Sequence, residues 1–379
     1  MKVLIACDKF RGSLTAAEAN AIIARAAGDV MPGADLSQTA IADGGEGTAE
    51  ALSGPTTTTL TADARDAYGA WHRADFVLDA GAQRAVIELA AVAGHPVAAS
   101  AGYHPHRATT LGVGDLIRAA LDAGARDIVV ALGGSITVDA GAGALEALGA
   151  RFVDSAGAPV HAPAGRTLAT VADADLSQLD GRLDGATITI AADVDNPLSG
   201  PRGAAPVFGP QKGLSAAEID ETDAALCAFD AVLARARGRA PLNTAAYAGA
   251  AGGVLVGLSA ATTLVARDGF DLVRAHHNLD AAVATVDLVV TGEGSVDAQS
   301  IGGKGPIGLA RLAKGAGTPA MLLAGRVGVP METLAAEGVC AAFPLVRGPA
   351  RLEDAIAGAA EGLYEVSRAA FGLVAAVSR

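Results

Sequence analysis

Five short segments of this chain combine glycine with acidic or basic side chains, a composition suited to binding a phosphorylated ligand. Glycine lets backbone N–H groups approach phosphate oxygens, and helix N-termini add partial positive charge. Carboxylates serve phosphoryl transfer in two ways, because they hold magnesium or orient the hydroxyl group that attacks the phosphate. The segments are residues 7–13, 42–48, 132–139, 192–197 and 291–297.

Each segment also has a purely structural interpretation, because a pair of glycines after a strand commonly forms a tight turn. The sequence contains no GxxxxGK[ST] loop, and the pairs Gly292/Gly294 and Gly112/Gly114 lack the third glycine of a GxGxxG motif. Ser135 lacks the GxSxG context of a hydrolase nucleophile, and the histidines lack the spacing of a metal site. Bound ATP would therefore require a less common set of loops.

The polar segments follow short apolar runs that are typical of strands buried on both faces of a parallel sheet. These runs alternate with helical patterns, so the sequence predicts an α/β fold built from βαβ units. Ligands of such folds bind at the carboxyl ends of the strands, and we expect the five segments to face one cleft. The predicted strands are residues 3–7, 36–41, 86–89, 128–132, 187–191, 288–291 and 321–324.

Helix positions are indicated by caps and by apolar spacing. Thr15 with Glu18, and Ser215 with Glu218, have the spacing of capping boxes. Apolar residues at i, i+3 and i+4 predict further helices, at residues 115–123 and 352–370.

Length and charge restrict the class of protein. A chain of 379 residues is too long for one ordinary core and predicts two domains. The net charge of −13 argues against nucleic acid as a partner. Three widely spaced cysteines and no signal-peptide pattern indicate a cytoplasmic protein. Residues 244–266 carry no charge, but their glycine, serine and threonine content favours a buried helix over a membrane span.

Taken in order, the motifs resemble those of the bacterial glycerate kinase family often called type I. The resemblance extends essentially from end to end of the chain. The most specific matches are residues 42–48 (ADGGEGT), 193–198 (DVDNPL), 200–203 (GPRG), 208–213 (FGPQKG), 249–253 (GAAGG) and 291–294 (TGEG), followed by Asp297, Gln299, Gly303 and Lys304.

The resemblance implies two α/β domains. One is a flavodoxin-like parallel-sheet domain formed by both ends of the chain, residues 1–65 plus 285–379. The other is an inserted central α/β domain, residues 66–284, similar to the restriction-enzyme fold. We expect the active site in the cleft between them.

The activity that the resemblance implies is transfer of the γ-phosphoryl group of ATP to a hydroxyl of glycerate, with Mg²⁺ and with 2-phosphoglycerate as the expected product. We assign Asp193 as the group that positions or deprotonates the hydroxyl, and Lys212 and Lys304 as catalytic cations. The metal ligands are Glu293 and Asp297. We assign substrate binding to Asp8, Lys9, Arg11, Ser13, Asp43 and Glu46, and nucleotide binding to Gly133, Gly134, Ser135, Asp139, Gly292 and Gly294.

Three residues depart from the family pattern. Lys9 stands where a serine is usual, Val138 replaces an asparagine and Leu111 replaces an aromatic residue. Two alternatives therefore stay open: a kinase for another hydroxy or sugar acid, and a non-catalytic ligand-binding homologue. We expect no membrane partner, and the sequence leaves a monomer and a homodimer equally open.

Overall fold

A computed structural model of the chain describes residues 1–94, 104–303, 305–346 and 348–377. The chain forms two compact units. The first unit comprises Met1–Asp43, Glu50–Leu52 and Gly269–Arg379, and the second comprises Gly44–Ala49 and Ser53–Asp268. Both units contain strands and helices, which confirms the predicted α/β class.

The strands are β1 (Lys2–Ile5), β2 (Asp35–Gln38), β3 (Thr57–Arg65), β4 (Trp71–Asp79), β5 (Arg84–Glu88), β6 (Asp127–Ala131), β7 (Arg151–Val153), β8 (Pro159–Val160), β9 (Asp173–Asp175), β10 (Thr187–Ala192), β11 (Leu264–Asp268), β12 (Leu288–Val296), β13 (Ala320–Val327) and β14 (Val339–Pro344). The helices are α1 (Ala16–Val30), α2 (Thr48–Ala51), α3 (Ala90–Ala93), α4 (Leu111–Asp122), α5 (Ala142–Ala147), α6 (Ala204–Phe208), α7 (Ala216–Arg237), α8 (Val254–Ala261), α9 (Gly269–His276), α10 (Leu279–Ala284), α11 (Ala298–Gly302), α12 (Pro306–Ala316), α13 (Met331–Ala336), α14 (Leu352–Ala357) and α15 (Ala359–Val377).

The first unit is built on a parallel sheet with strand order β2-β1-β12-β13-β14. Counted along this unit alone, the order is 2-1-3-4-5, as in flavodoxin, and its switch point lies between β1 and β12. The adjacent strands β1 and β12 are almost wholly apolar and buried where they pair, as their sequence predicts. Helix α1 begins at the predicted capping box, where the Glu18 N–H donates to the Thr15 hydroxyl (3.2 Å) and the Thr15 N–H donates to the Glu18 carboxylate (2.9 Å).

The second unit contains a six-stranded mixed sheet with order β11-β10-β6-β5-β4-β3. Strands β5, β6, β10 and β11 are parallel, whereas β3 and β4 form an antiparallel hairpin that pairs with β5. A small antiparallel sheet of β8, β7 and β9 lies apart from it. The carboxyl ends of the parallel strands carry residues 132–139 and 192–197.

Several predicted boundaries were wrong. Strand β12 continues through residues 291–296, which were expected to form a loop, and it pairs with β13 as far as Val296↔Val327. The predicted helix over 352–370 is two helices, because α14 ends at Gly358. By contrast, the buried helix predicted within the uncharged run 244–266 is confirmed, because seven of the eight residues of α8 are buried. Within the described residues, no helix is both long enough and apolar enough to cross a bilayer.

Close backbone contacts explain some of the many glycines. A Cβ added to Gly112 in α4 would lie 1.9 Å from the carbonyl oxygen of Arg65 and 2.8 Å from Val92 Cβ. Gly28 in α1 has no such neighbour within 4 Å.

We therefore predict opposite effects of two glycine-to-alanine changes. Gly112→Ala lowers the free energy of unfolding by at least about 1–3 kcal/mol, because the backbone of β3 must move. Gly28→Ala, the control, raises it by up to about 1 kcal/mol through helix propensity. Urea and thermal denaturation measure both, and a neutral Gly112→Ala would contradict the described packing.

Candidate active site

The first unit places residues 7–13 beside β12. The Asp8 N–H donates to the Gly292 carbonyl (2.9 Å), and the buried Phe10 forms a bridge with Leu14. The Ser13 hydroxyl donates to the Phe10 carbonyl (2.8 Å), so it stabilises the turn itself. Arg11 is exposed at the tip of this turn.

The Asp8 carboxyl is buried among other acidic groups. Only 5% of the residue is exposed, and its Oδ1 accepts a hydrogen bond from the Lys9 N–H (2.6 Å). Burial raises the pKa of Asp8 to about 8, and the negative charges of Asp43 and Glu293 act in the same direction. The Lys9 ammonium lies 3.9 Å from Asp8 Oδ1 and partly opposes this shift of the pKa.

Asp43 reaches this region because the chain after β2 continues alongside β1. The N–H groups of Thr39 and Ile41 donate to the carbonyls of Ile5 and Cys7, each at 3.0 Å. This added pairing carries the chain towards the same end of the sheet as Asp8, where Asp43 contributes to the raised pKa of Asp8.

Glu293 completes the group. Burial raises its pKa to about 7, with contributions from Asp43 and Asp297, while a hydrogen bond from Ser300 opposes the rise. Its buried Oε1 has no hydrogen-bond partner. We refer to Asp8, Asp43, Glu293 and Asp297 as the acidic cluster.

The acidic cluster has the donor chemistry of a magnesium site. The Glu293 Oε1 would coordinate a cation placed beside the cluster, and the positive charge would lower the pKa of the neighbouring carboxyl groups. In the described part of the chain, no three or more His, Cys, Asp or Glu side chains are grouped closely enough to enclose a metal ion by themselves. Mg²⁺ commonly uses one or two carboxylates and completes its shell with water and phosphate oxygens, so the residues fit a metal shared with a ligand.

Two predicted residues, Gly292 and Gly294, lie within β12. A Cβ on Gly292 would be 2.1 Å from the Leu323 carbonyl oxygen, and one on Gly294 would be 3.0 Å from the Arg11 nitrogen. These glycines therefore permit close packing of β13 and of the first loop. Lys304 lies outside the described residues, so its predicted role stays a prediction.

In the second unit, the carboxyl ends of β6 and β10 meet the glycine pair of residues 44–45. The Gly133 N–H donates to the Gly44 carbonyl (3.1 Å), and a Cβ on Gly133 would be 2.4 Å from Gly45 Cα. Gly134 has a left-handed backbone with φ of 76°. Glu46, the residue directly after the glycine pair 44–45, is exposed.

Lys212 is a buried cation beside this loop. Pro210 begins a short 3-10 turn that Gly213 ends in a left-handed conformation, and Lys212 is 3% exposed. Its Nζ donates to the Ser135 hydroxyl and to the Thr137 carbonyl, both at 2.8 Å. Burial lowers the pKa of Lys212 to about 7, and the charge of Asp139 partly opposes this.

Asp139 organises the backbone around this lysine. It is fully buried and accepts hydrogen bonds from the Thr110 N–H (2.7 Å), the Thr110 hydroxyl (2.8 Å) and the Gly141 N–H (3.0 Å). Burial raises its pKa, and these donors counteract the rise. Its oxygens thus fix the entry to α5 behind Ser135 and Lys212.

Asp193 is exposed immediately after β10. The loop that follows is held by the Asn196 amide, which donates to the Arg202 carbonyl (2.7 Å), and by the Gly249 N–H, which donates to the Asn196 carbonyl (2.9 Å). A Cβ on Gly249 would be 2.2 Å from the Pro197 carbonyl oxygen, so there is no room for a side chain at this position. The sequence did not identify Thr110 or the Thr137 carbonyl as part of this site. Every residue has a backbone carbonyl, so residue type gives no indication that the Thr137 carbonyl is an acceptor.

Comparison with known proteins identifies the family. The model of the glycerate kinase family matches residues 3–375. This chain belongs to the glycerate kinase family. The resemblance inferred from the motifs is therefore confirmed.

Members of the family with similar sequences match along nearly their whole length. Glycerate kinase of Bacillus subtilis (strain 168) is 40% identical over 97% of this chain and 96% of its own. Glycerate 2-kinase of Escherichia coli (strain K12) is 36% identical over 97% of this chain and 96% of its own length. A crystal structure described as glycerate kinase 2 of Salmonella typhimurium LT2 has a TM-score of 0.85 and 38% identity, and the match covers 100% of this chain and 99% of that one.

The raised pKa of Asp8 predicts a pH-dependent effect on stability. Between about pH 4 and pH 8, the folded protein holds a proton on Asp8 that the unfolded chain has lost, so this carboxyl disfavours folding as pH rises. Asp8→Asn removes the penalty. The variant should be more stable than the wild type at pH 8, by more than about 1 kcal/mol since one pKa unit is worth about 1.4 kcal/mol, and equally stable at pH 4.

Thermal denaturation across this pH range tests the prediction. Asp35→Asn, which changes an exposed carboxylate at the start of β2, is the control and should show no such trend. A stability difference for Asp8→Asn that does not grow with pH would contradict the burial of this carboxyl.

Proposed function

We propose that this protein is a glycerate kinase that transfers the γ-phosphoryl group of ATP to a hydroxyl of glycerate and forms 2-phosphoglycerate. The observation that carries the proposal is similarity to named glycerate kinases along almost the entire chain, including a glycerate 2-kinase. The acidic cluster and the buried Lys212 add the groups that phosphoryl transfer needs.

The acidic cluster supplies the metal ligands in this proposal. Glu293 and Asp297 hold Mg²⁺, which neutralises charge on the phosphates when it is bound. Asp8 and Asp43 lie in the same electrostatic environment as Glu293 and orient the acceptor hydroxyl. The exposed Arg11 binds the carboxylate of glycerate, because a guanidinium can donate two parallel hydrogen bonds to it.

Lys212 binds a phosphate oxygen in this proposal. Its two acceptors in the protein, the Ser135 hydroxyl and the Thr137 carbonyl, are neutral, and an ammonium group has three donors. An anion at the remaining donor would favour the charged form of the lysine and raise its pKa. Gly134 lies in the same loop with a left-handed backbone and places a further N–H group there, whereas the Gly133 N–H donates to the Gly44 carbonyl.

The activity is tested by supplying ATP, Mg²⁺ and a panel of hydroxy acids and sugar acids, and by measuring ADP release. Glycerate should be the fastest acceptor, and phosphorus NMR of the product should show 2-phosphoglycerate. A faster sugar acid would indicate that Lys9, in place of the usual serine, has changed the acceptor. If none of the acids in the panel causes ADP release, a non-catalytic binding protein is favoured.

Asp193→Asn tests the proposed base. It should lower kcat by about 10²–10⁴, the usual contribution of a positioned base, while the KM for ATP stays unchanged. Asp195→Asn is the matched control, because Asp195 lies two residues further on, is exposed, and pairs with the exposed Arg202 (3.1 Å). Near-normal turnover of Asp193→Asn would remove it from this role.

Ser135→Ala tests the role of Lys212. If the charged lysine binds phosphate, kcat/KM falls as pH rises through the pKa of about 7. The Ser135 hydroxyl stabilises the charged form by accepting its hydrogen bond, so Ser135→Ala should move this fall to lower pH. Ser259→Ala, which removes a hydroxyl that Arg239 donates to (3.0 Å), should leave the pH profile in place. A profile unchanged in Ser135→Ala would exclude the charged lysine as the titrating group.

A further inference from the structure

Arg311 connects three parts of the first unit. It lies on α12, and its side chain is 40% exposed. Its Nη2 donates to the Ile301 carbonyl (2.6 Å), its Nη1 donates to the Gly303 carbonyl (3.3 Å), and its Nε donates to the Glu337 carboxylate (2.5 Å). The guanidinium therefore binds the end of α11 on one side and the end of α13 on the other.

Arg311 supplies hydrogen-bond donors to carbonyls at the end of a short helix. Helix α11 is five residues long, and the last carbonyls of any helix lack partners within it. A basic side chain can supply these missing hydrogen bonds. The planar fork of arginine can serve two carbonyls and a carboxylate together, whereas the single ammonium of lysine has no such fixed geometry.

The same turn leads directly to the acidic cluster. The Ser300 N–H donates to Asp297 Oδ1 (3.3 Å), and the Asp297 N–H donates to the Ser300 hydroxyl (3.3 Å). That hydroxyl also donates to the Ser295 carbonyl (3.4 Å) and interacts with Glu293. A shift of α11 would thus displace Ser300 and, with it, the two carboxylates assigned to the metal.

We propose that Arg311 is a positioning residue that fixes α11, so that Asp297 and Glu293 hold the geometry needed to bind a divalent cation. This inference rests on the proposed function for the identity of the ion. Arg311 itself touches neither carboxylate in the contacts described, and it acts through the backbone carbonyls of residues 301 and 303 and through Ser300.

Three variants of the full-length protein test this proposal: Arg311→Ala, Arg311→Lys and the control Arg274→Ala. Arg274 is a close match for Arg311, because it lies on a helix of the same unit, its side chain is 39% exposed, and it makes a two-pronged ion pair with Asp280 (2.8 and 2.7 Å). Its partner is a side chain instead of the backbone of α11. A general effect of losing a surface ion pair will therefore appear in both Arg311→Ala and Arg274→Ala.

The first measurement is amide hydrogen exchange of residues 298–303, and the second is binding of Mn²⁺, used as a probe for Mg²⁺. Arg311→Ala and Arg311→Lys should both exchange faster in this segment and bind Mn²⁺ about 10–100-fold more weakly, as expected when an outer-shell partner is lost. Arg274→Ala should match the wild type in both measurements. Thermal denaturation establishes that the variants are folded.

The outcomes separate the alternatives. Restoration of Mn²⁺ binding by Arg311→Lys, or equal losses in Arg274→Ala, would show a general charge or stability effect and would overturn the proposal. Wild-type Mn²⁺ binding in Arg311→Ala would overturn it as well. If no acid in the panel is phosphorylated, the proposed function fails, but the exchange and Mn²⁺ measurements still decide the role of Arg311.

Discussion

Burial of several carboxylates between the end of β1 and the carboxyl half of β12 is the constraint on which the chemistry of the first unit depends. Like charges in a poorly solvated place disfavour ionisation, which is why burial and mutual repulsion raise the pKa of Asp8 and of Glu293. Folding tolerates this arrangement because the parallel pairing of two apolar strands fixes the backbone beneath it. The cluster therefore favours ligands that bring positive charge.

The second unit presents the opposite electrostatic problem. Lys212 is a buried cation whose two hydrogen-bond acceptors are neutral, and its pKa is correspondingly low. Asp139 lowers the cost of that burial through its charge, while its oxygens hold the backbone of α5 and of residue 110. An anion is the natural complement of this lysine, as a cation is of the acidic cluster.

Sequence patterns predicted those features that local chemistry determines. The capping box at Thr15 and the apolar strands β6 and β10 follow from side-chain type and spacing, and the family follows from the order of the motifs. The extension of β12 was missed because glycine normally indicates a turn, whereas Gly292 is required by the nearby Leu323 carbonyl. The hairpin of β3 and β4 was missed because its threonine-rich strand lies at a sheet edge. Arg311 gave no signal at all, since two of its partners are backbone carbonyls.

The discontinuous first unit has a consequence for synthesis on the ribosome. Strand β1 lies between β2 and β12 in its sheet, and Val3 pairs with Leu288, so one neighbour of β1 is translated 285 residues later. At about 5–20 residues per second, the N-terminal strand waits on the order of 15–60 s for this partner. The nascent chain therefore carries an exposed apolar edge while the second unit is completed. Chaperone binding to the first forty residues would protect the chain during this interval.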